Sequence, residues 1–220
     1  MRNLIVLLLT LTSFTLSAQF GASAFFNTHE TRSNFSDVLP ESEATISELN
    51  SGYEVALHYW FRLPKNRIEF QPTAYYASAK SEALNGKFNE VGFQFKTNIY
   101  LFDLEGDCGC PTFGKQGPAL QKGIFLQLSP GYARYTFNQG LGLEDVNNNG
   151  FTLGGGIGWD LGVSNLLTIT PFAGVRYGLG KYSDSLLTDV NGERLGLVET
   201  KLTTVQLGIT ATFRLDEDRY

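Results

Sequence analysis

The chain has 220 residues and a formal net charge of −5. It therefore has no basic excess with which to hold a polyanion, and a nucleic-acid partner is not expected. Its 24 glycines, 13% aromatic content and single Met suit an all-β protein better than a helical one, and no stretch after the N-terminal region is apolar for the roughly 20 residues of a membrane-spanning helix.

Residues 1–18 read as a secretory signal peptide. Arg2 precedes the apolar run Leu4 to Leu11, and Ser17 and Ala18 supply small residues before a cut at Gln19. A transmembrane helix does not fit, because Thr10, Thr12, Ser13 and Thr15 interrupt the run before it reaches spanning length. Residues 19–220 are then the size of one domain.

From Gln19 onward the pattern has period two, so successive side chains point to opposite faces of a strand. The first strand carries Phe20, Ala22, Ala24 and Phe26 on its apolar face. The second carries Tyr53, Val55, Leu57, Tyr59 and Phe61, with Glu54, Ala56, His58, Trp60 and Arg62 opposite. The third sets Ile68, Phe70, Pro72, Ala74 and Tyr76 against Arg67, Glu69, Gln71, Thr73 and Tyr75. The fourth sets Val91, Phe93, Phe95, Thr97, Ile99 and Leu101 against Gly92, Gln94, Lys96, Asn98 and Tyr100. A fifth runs from Ile124 to about Phe137. The sixth sets Phe151, Leu153, Ile157, Trp159 and Leu161 against Thr152, Gly154, Gly156, Gly158 and Asp160. The seventh sets Leu167, Ile169, Pro171, Ala173, Val175 and Tyr177 against Thr168, Thr170, Phe172, Gly174 and Arg176. The last sets Val205, Leu207, Ile209, Ala211, Phe213 and Leu215 against Thr204, Gln206, Gly208, Thr210, Thr212 and Arg214.

About eight strands result, an even number. Most have the roughly 9–11 residues needed to cross a bilayer at a tilt. Short turns follow the second strand (Leu63 to Asn66) and the sixth (Ser164-Asn165). Longer loops follow the first (Thr28 to Asn50), fifth (Asn138 to Asn149) and seventh (Lys181 to Glu199). The short loop after the third strand and the long turn from Asp103 to Lys122 break that alternation. The odd strands share an opening, IEFQP, FLQLSP and LTITP. Pro cannot donate to a ladder, so a bulge is expected there. A bulge at Pro130-Gly131 would change the face of Arg134, which stays unassigned.

A soluble ligand-carrying barrel has the same period with its apolar face inward. Two features favour a membrane barrel with its apolar face toward lipid. Gly92, Gly154, Gly156, Gly158, Gly174, Gly208 and Ala56 lie on the polar face, where a narrow eight-stranded interior has use for small residues. That face also carries charges of both signs, Glu54, Glu69 and Asp160 with Lys96, Arg176 and Arg214, which permits a paired ionic network inside. Phe20, Phe26, Tyr59, Phe61, Tyr76, Tyr177 and Phe213 lie near strand ends, as interfacial aromatics do.

Other candidates are weaker. Cys108 and Cys110 form a C-G-C in the long turn; in an oxidising compartment they are expected as a local disulfide. DVNNNG, Asp145 to Gly150, opens like a calcium loop but has Gly156 where the closing Glu belongs. It reads as a turn, and no metal is expected. The first loop is acidic, with Glu30, Asp37, Glu41, Glu43 and Glu48. His29 reads as a loop residue and His58 as a polar-face residue with Gln71 as its cross-strand neighbour. Neither has a Ser or Asp partner in an evident catalytic arrangement.

Taken together, residues Gln19 to Leu215 resemble the small outer-membrane β-barrel domain proteins of Gram-negative bacteria often labelled porin-like. The resemblance implies a transmembrane antiparallel up-and-down barrel in the outer membrane. It also implies a terminal aromatic recognised by the barrel-assembly machinery. VQLGITATF places Phe213 in that role, while the run-on through DEDRY offers Tyr220 instead. The expected protein is a monomer in contact with outer-membrane lipid and lipopolysaccharide, without cofactor. Its expected role is non-enzymatic, in envelope structure or surface contact. The alternatives are a narrow ion or small-solute channel, a lipid-modifying barrel enzyme, and a soluble carrier of lipophilic ligands.

Overall fold

The computed structural model describes residues 19–34, 49, 51–62, 68–81, 86–102, 123–138, 146–164, 167–179, 184–188 and 194–214. The elements in chain order are β1 (Gln19–Asn34), β2 (Gly52–Tyr59), β3 (Phe61–Arg62), β4 (Ile68–Ser81), β5 (Gly86–Tyr100), β6 (Ile124–Asn138), β7 (Val146–Trp159), β8 (Leu161–Ser164), β9 (Leu167–Gly178), β10 (Asp184–Thr188) and β11 (Arg194–Arg214). Two pairs are each one barrel strand with a short break, and a third pair shares a partner strand. β2 and β3 are interrupted at Trp60, whose N–H turns to the Gln19 carbonyl at 2.8 Å. β7 and β8 are interrupted at Asp160, whose N–H reaches the Gly123 carbonyl at 3.0 Å. β10 continues β9 along β11.

Eight barrel strands follow one another as an antiparallel meander, and β11 closes the ring by pairing with both β9 and β1. Closure leaves no ladder edge around the wall, the condition for crossing hydrocarbon with strands. One register path leads from Thr168 through Thr212, Gly21, His58, Thr73, Gln94, Gly131 and Thr152 to Gly178. It returns to β9 ten residues along from where it left. Eight strands with that stagger tilt by about 40° and enclose a backbone cylinder of about 8 Å radius. Each residue then rises about 2.5 Å along the barrel axis.

The apolar faces point outward. Phe20, Phe26, Leu57, Val91, Phe93, Leu128, Phe151, Ile157, Leu207 and Ile209 are all between 50% and 69% exposed. The opposite faces hold the buried polar set, including Asn27, Glu54, Glu69, Thr73, Gln94, Asn98, Arg176 and Thr204. A water-soluble barrel needs the reverse arrangement, so the soluble-carrier alternative fails on this geometry. Gln19 and Arg214 pair at one end, here the lower end. At the upper end β1 continues to Asn34 and β11 begins at Arg194.

Three local expectations are corrected. The loops after the first, fifth and seventh strands are shorter than the sequence suggests, because β1 continues to Asn34, β7 starts at Val146, and β10 with the upper part of β11 occupies much of 181–199. Val146 to Gly150 is strand and not a turn, held in register against Ala133 to Phe137. No bulge occurs at Pro130-Gly131. The register against β7 runs unbroken through Pro130↔Leu153 and Gly131↔Thr152, so Arg134 faces outward and is exposed.

Candidate functional site: a packed ionic lumen

The inward side chains form layers because each strand contributes every second residue at a height fixed by the stagger. The middle layer centres on Arg176 of β9, only 2% exposed. Its Nη1 donates to Glu54 Oε2 of β2 at 2.8 Å, and its Nη2 donates to Glu90 Oε2 of β5 at 2.9 Å. The Tyr75 ring of β4 lies 4.4 Å from the guanidinium carbon, within cation–π range. The Tyr75 hydroxyl donates to Glu90 Oε1 at 2.6 Å. Glu54 Oε2 also accepts from Gln206 Nε2 of β11 at 2.8 Å and Asn27 Nδ2 of β1 at 3.3 Å. Six of the eight barrel strands are thus joined through one guanidinium and two carboxylates. A planar fork with fixed donors is suited to bridging two carboxylates in this way.

Above this layer the lumen is mostly apolar. Leu49, Ala79, Phe88, Tyr135, Phe137 and Leu202 form one buried cluster. His29 belongs to β1 and not to a loop; its Nδ1 lies 3.1 Å from Thr204 Oγ1 and its ring packs edge-on against Phe88. Below the ionic layer lies an aromatic cluster of Phe25, Phe172, Phe125 and Tyr100. Lys96 sits there with its ammonium 5.2 Å from the centre of the Phe25 ring. Among the described residues no carboxylate forms an ion pair with it. His58 pairs in register with Thr73, not Gln71, and its Nε2 lies 3.3 Å from Thr212 Oγ1.

A second polar group closes the lower end. Tyr100 contacts both Glu69 Oε2, at 2.7 Å, and Asp160 Oδ2. Trp60 Nε1 donates to Glu69 Oε2 at 2.7 Å, and Thr170 Oγ1 donates to Asp160 Oδ1 at 2.6 Å. Glu69 and Asp160 therefore meet through Tyr100, away from Arg176.

Of the sequence candidates, the structure brings together Glu54 with Arg176, and Glu69 with Asp160. Lys96 lies between the two groups. Arg214 is placed by its backbone opposite Gln19, and its side chain lies outside the described residues. Phe213 is half exposed on the outer wall beside Phe20. Cys108, Cys110 and Tyr220 lie outside the described residues. Sequence reading missed Glu90, which belongs to the same alternating face as Gly92 and Gln94 once the fourth strand is extended downward in number. It also named Tyr75, Tyr100 and Trp60 only as strand-face residues, although their polar atoms carry the bridges. Among the described residues no group of His, Cys, Asp and Glu is arranged to hold a metal ion.

No protein-family model and no curated protein matches the chain. Solved structures do show likeness. Neisserial surface protein A (NspA) is 14% identical, covering 89% of this chain and 96% of that one, with a TM-score of 0.48. Ail, the attachment invasion locus protein of Yersinia pestis, is 12% identical over 88% and 97%, with a TM-score of 0.41. The outer membrane protease OmpT of Escherichia coli is 10% identical over 91% and 99%, with a TM-score of 0.39. The chain's own geometry is what assigns the fold: eight closed, tilted strands, apolar outside and polar and ion-paired within, are the architecture of a small transmembrane β-barrel of the outer membrane.

Proposed function

We propose that this barrel is a sealed, non-enzymatic protein of the outer membrane. Its upper end faces the cell surface, and its strand extensions there serve surface contact or envelope structure. The observation that carries the reading is the filled lumen. An apolar layer, the Arg176–Glu54–Glu90 layer and an aromatic layer stack across the same narrow interior. An interior of this radius is only wide enough for its own side chains.

The orientation rests on the strand extensions. Outer-membrane barrels carry their longer extensions outside, and here β1, β10 and β11 continue furthest at the upper end. A non-enzymatic role is supported by the engagement of both histidines with threonine hydroxyls inside the wall, where no bulk substrate reaches them.

Planar-bilayer recording of the purified, folded protein tests the reading. Conductance at background level is expected. Reproducible open steps from the wild-type protein would replace it with the narrow-channel alternative.

A further inference from the structure

Three outward-facing cations stand together near the upper end of adjacent strands. They are Lys80 of β4, Lys87 of β5 and Arg134 of β6, all exposed. Lys80 and Lys87 are direct register partners. Like charges placed opposite each other across an antiparallel pair repel, and an anion shared between them relieves that repulsion. Arg134 stands opposite Val91 on the other side of β5 and reaches Asn147 Oδ1 at 3.5 Å.

The neutral groups between these cations add a donor of the same kind. Asn89 lies on β5 between Lys87 and Val91. Its Oδ1 is occupied by the Tyr76 hydroxyl at 2.7 Å and the Ser78 hydroxyl at 3.1 Å. Its amide NH2 is left as a donor beside the lysines. Among the described residues no carboxylate forms an ion pair with Lys80, Lys87 or Arg134. On β1 and β11, by contrast, the exposed charges at this level are mixed, Glu30 with Lys201.

The height of the patch defines its partner. Directly below it the outer wall is apolar and aromatic, with Val91 57%, Phe93 51% and Tyr132 45% exposed. Lys80 and Lys87 stand four residues above the outward Tyr76 and Val91, and Arg134 stands two above Tyr132. That is about 5–10 Å along the axis, the depth at which a leaflet gives way to its headgroups. Lysine and arginine just beyond a hydrocarbon-facing band attract anionic headgroups.

We propose that Lys80, Lys87, Arg134 and the Asn89 amide form a binding site for the phosphate groups of lipopolysaccharide in the outer leaflet. The site rests on the reading of the upper end as the cell surface. Arginine supplies a fork for phosphate and lysine a compact charge.

The full-length barrel, folded in nanodiscs of zwitterionic lipid, is titrated with lipopolysaccharide carrying its lipid A phosphates and, in parallel, with the same material dephosphorylated. A triple variant, Lys80→Gln, Lys87→Gln and Arg134→Gln, is compared with a charge-conserving one, Lys80→Arg, Lys87→Arg and Arg134→Lys. At about fivefold per charge, the Gln variant should bind the phosphorylated form about a hundredfold more weakly. The charge-conserving variant should stay within a few-fold of wild type, and dephosphorylation should reproduce the Gln loss. Equal binding by wild type and the folded Gln variant, or equal binding of the dephosphorylated form, overturns the site. Heat-modifiable gel migration reports the barrel separately. A wild type that lacks it sinks the barrel reading itself.

Discussion

Removing the Arg176 guanidinium is the sharpest perturbation of the lumen. Arg176→Met keeps the stem and roughly the volume but leaves Glu54 and Glu90 facing each other with no cation between them. Deleting one partner of a buried ion pair costs about 3–5 kcal/mol. The ring contact with Tyr75 adds about 0.5–2 kcal/mol. The two carboxylates share one partner, so their losses do not sum. About 4–6 kcal/mol is expected, a shift of about a thousandfold or more in the folding equilibrium. Urea titration in detergent micelles, followed by Trp60 and Trp159 fluorescence and by heat-modifiable migration, measures it. The variant Arg176→Met with Glu54→Gln and Glu90→Gln should recover most of the loss, because neutral amides remove the uncompensated charge and can bond to each other. Arg176→Lys should lie between, since one ammonium cannot reproduce the two-pronged geometry. A loss below about 1 kcal/mol for Arg176→Met, or no recovery in the triple variant, would refute the view that the trio holds the middle of the barrel together.

Three other variants probe the wall and the lower lumen. Leu207→Lys with Ile209→Lys places two charges on an outward face where these residues are 64% and 55% exposed. At about 2–4 kcal/mol each in the bilayer midplane, the pair should block insertion, seen as loss of the heat-modifiable form from vesicles; normal insertion would reverse the assigned faces. Gly208→Ala should cost about 1–3 kcal/mol by overpacking, because a Cβ there would stand 2.2 Å from the Ala24 carbonyl oxygen and 2.5 Å from the Phe25 ring; an unchanged urea midpoint would show that the wall gives way freely. Tyr100→Phe removes the hydroxyl between Glu69 and Asp160 and should lower stability by about 1.5–3 kcal/mol, whereas an increase would show that apolar packing outweighs those bonds.

The wall was readable in the sequence because the bilayer imposes one rule along its whole length. A lipid-facing position must be apolar and its neighbour need not be, so the faces of Tyr53 to Phe61 or Val205 to Phe213 follow from alternation alone. Strand ends were less legible. Above the hydrocarbon that rule lapses, and the extensions Thr28 to Asn34 and Arg194 to Lys201 lose their two-tone pattern although their ladders continue. The lumen pairings were the hardest to see. Glu54 and Arg176 are 122 residues apart and meet only because the ten-residue stagger lifts one side of the barrel relative to the other. No local spacing encodes that, whereas one accurate register path predicts it.

The same stagger explains the glycines better than their small size alone. Four inward aromatics, Phe25, Tyr75, Phe125 and Phe172, lie over inward glycines of neighbouring strands. A Cβ at Gly158 would stand 2.2 Å from the Phe125 ring, one at Gly92 2.5 Å from that of Tyr75, and one at Gly156 2.4 Å from that of Phe172. A ring over a glycine covers exposed backbone and regains packing that the glycine itself cannot supply. Phe125 and Phe172 belong to the aromatic layer below the ionic one, whereas Tyr75 stands against Arg176 itself. A larger residue at Gly92 would displace the Tyr75 ring that stands against Arg176. The Gly92–Tyr75 pair and the Arg176 network are therefore one packing solution. Loss at Gly92, under the Tyr75 ring that contacts both Arg176 and Glu90, should couple non-additively to loss at Arg176, while loss at Gly158 should not.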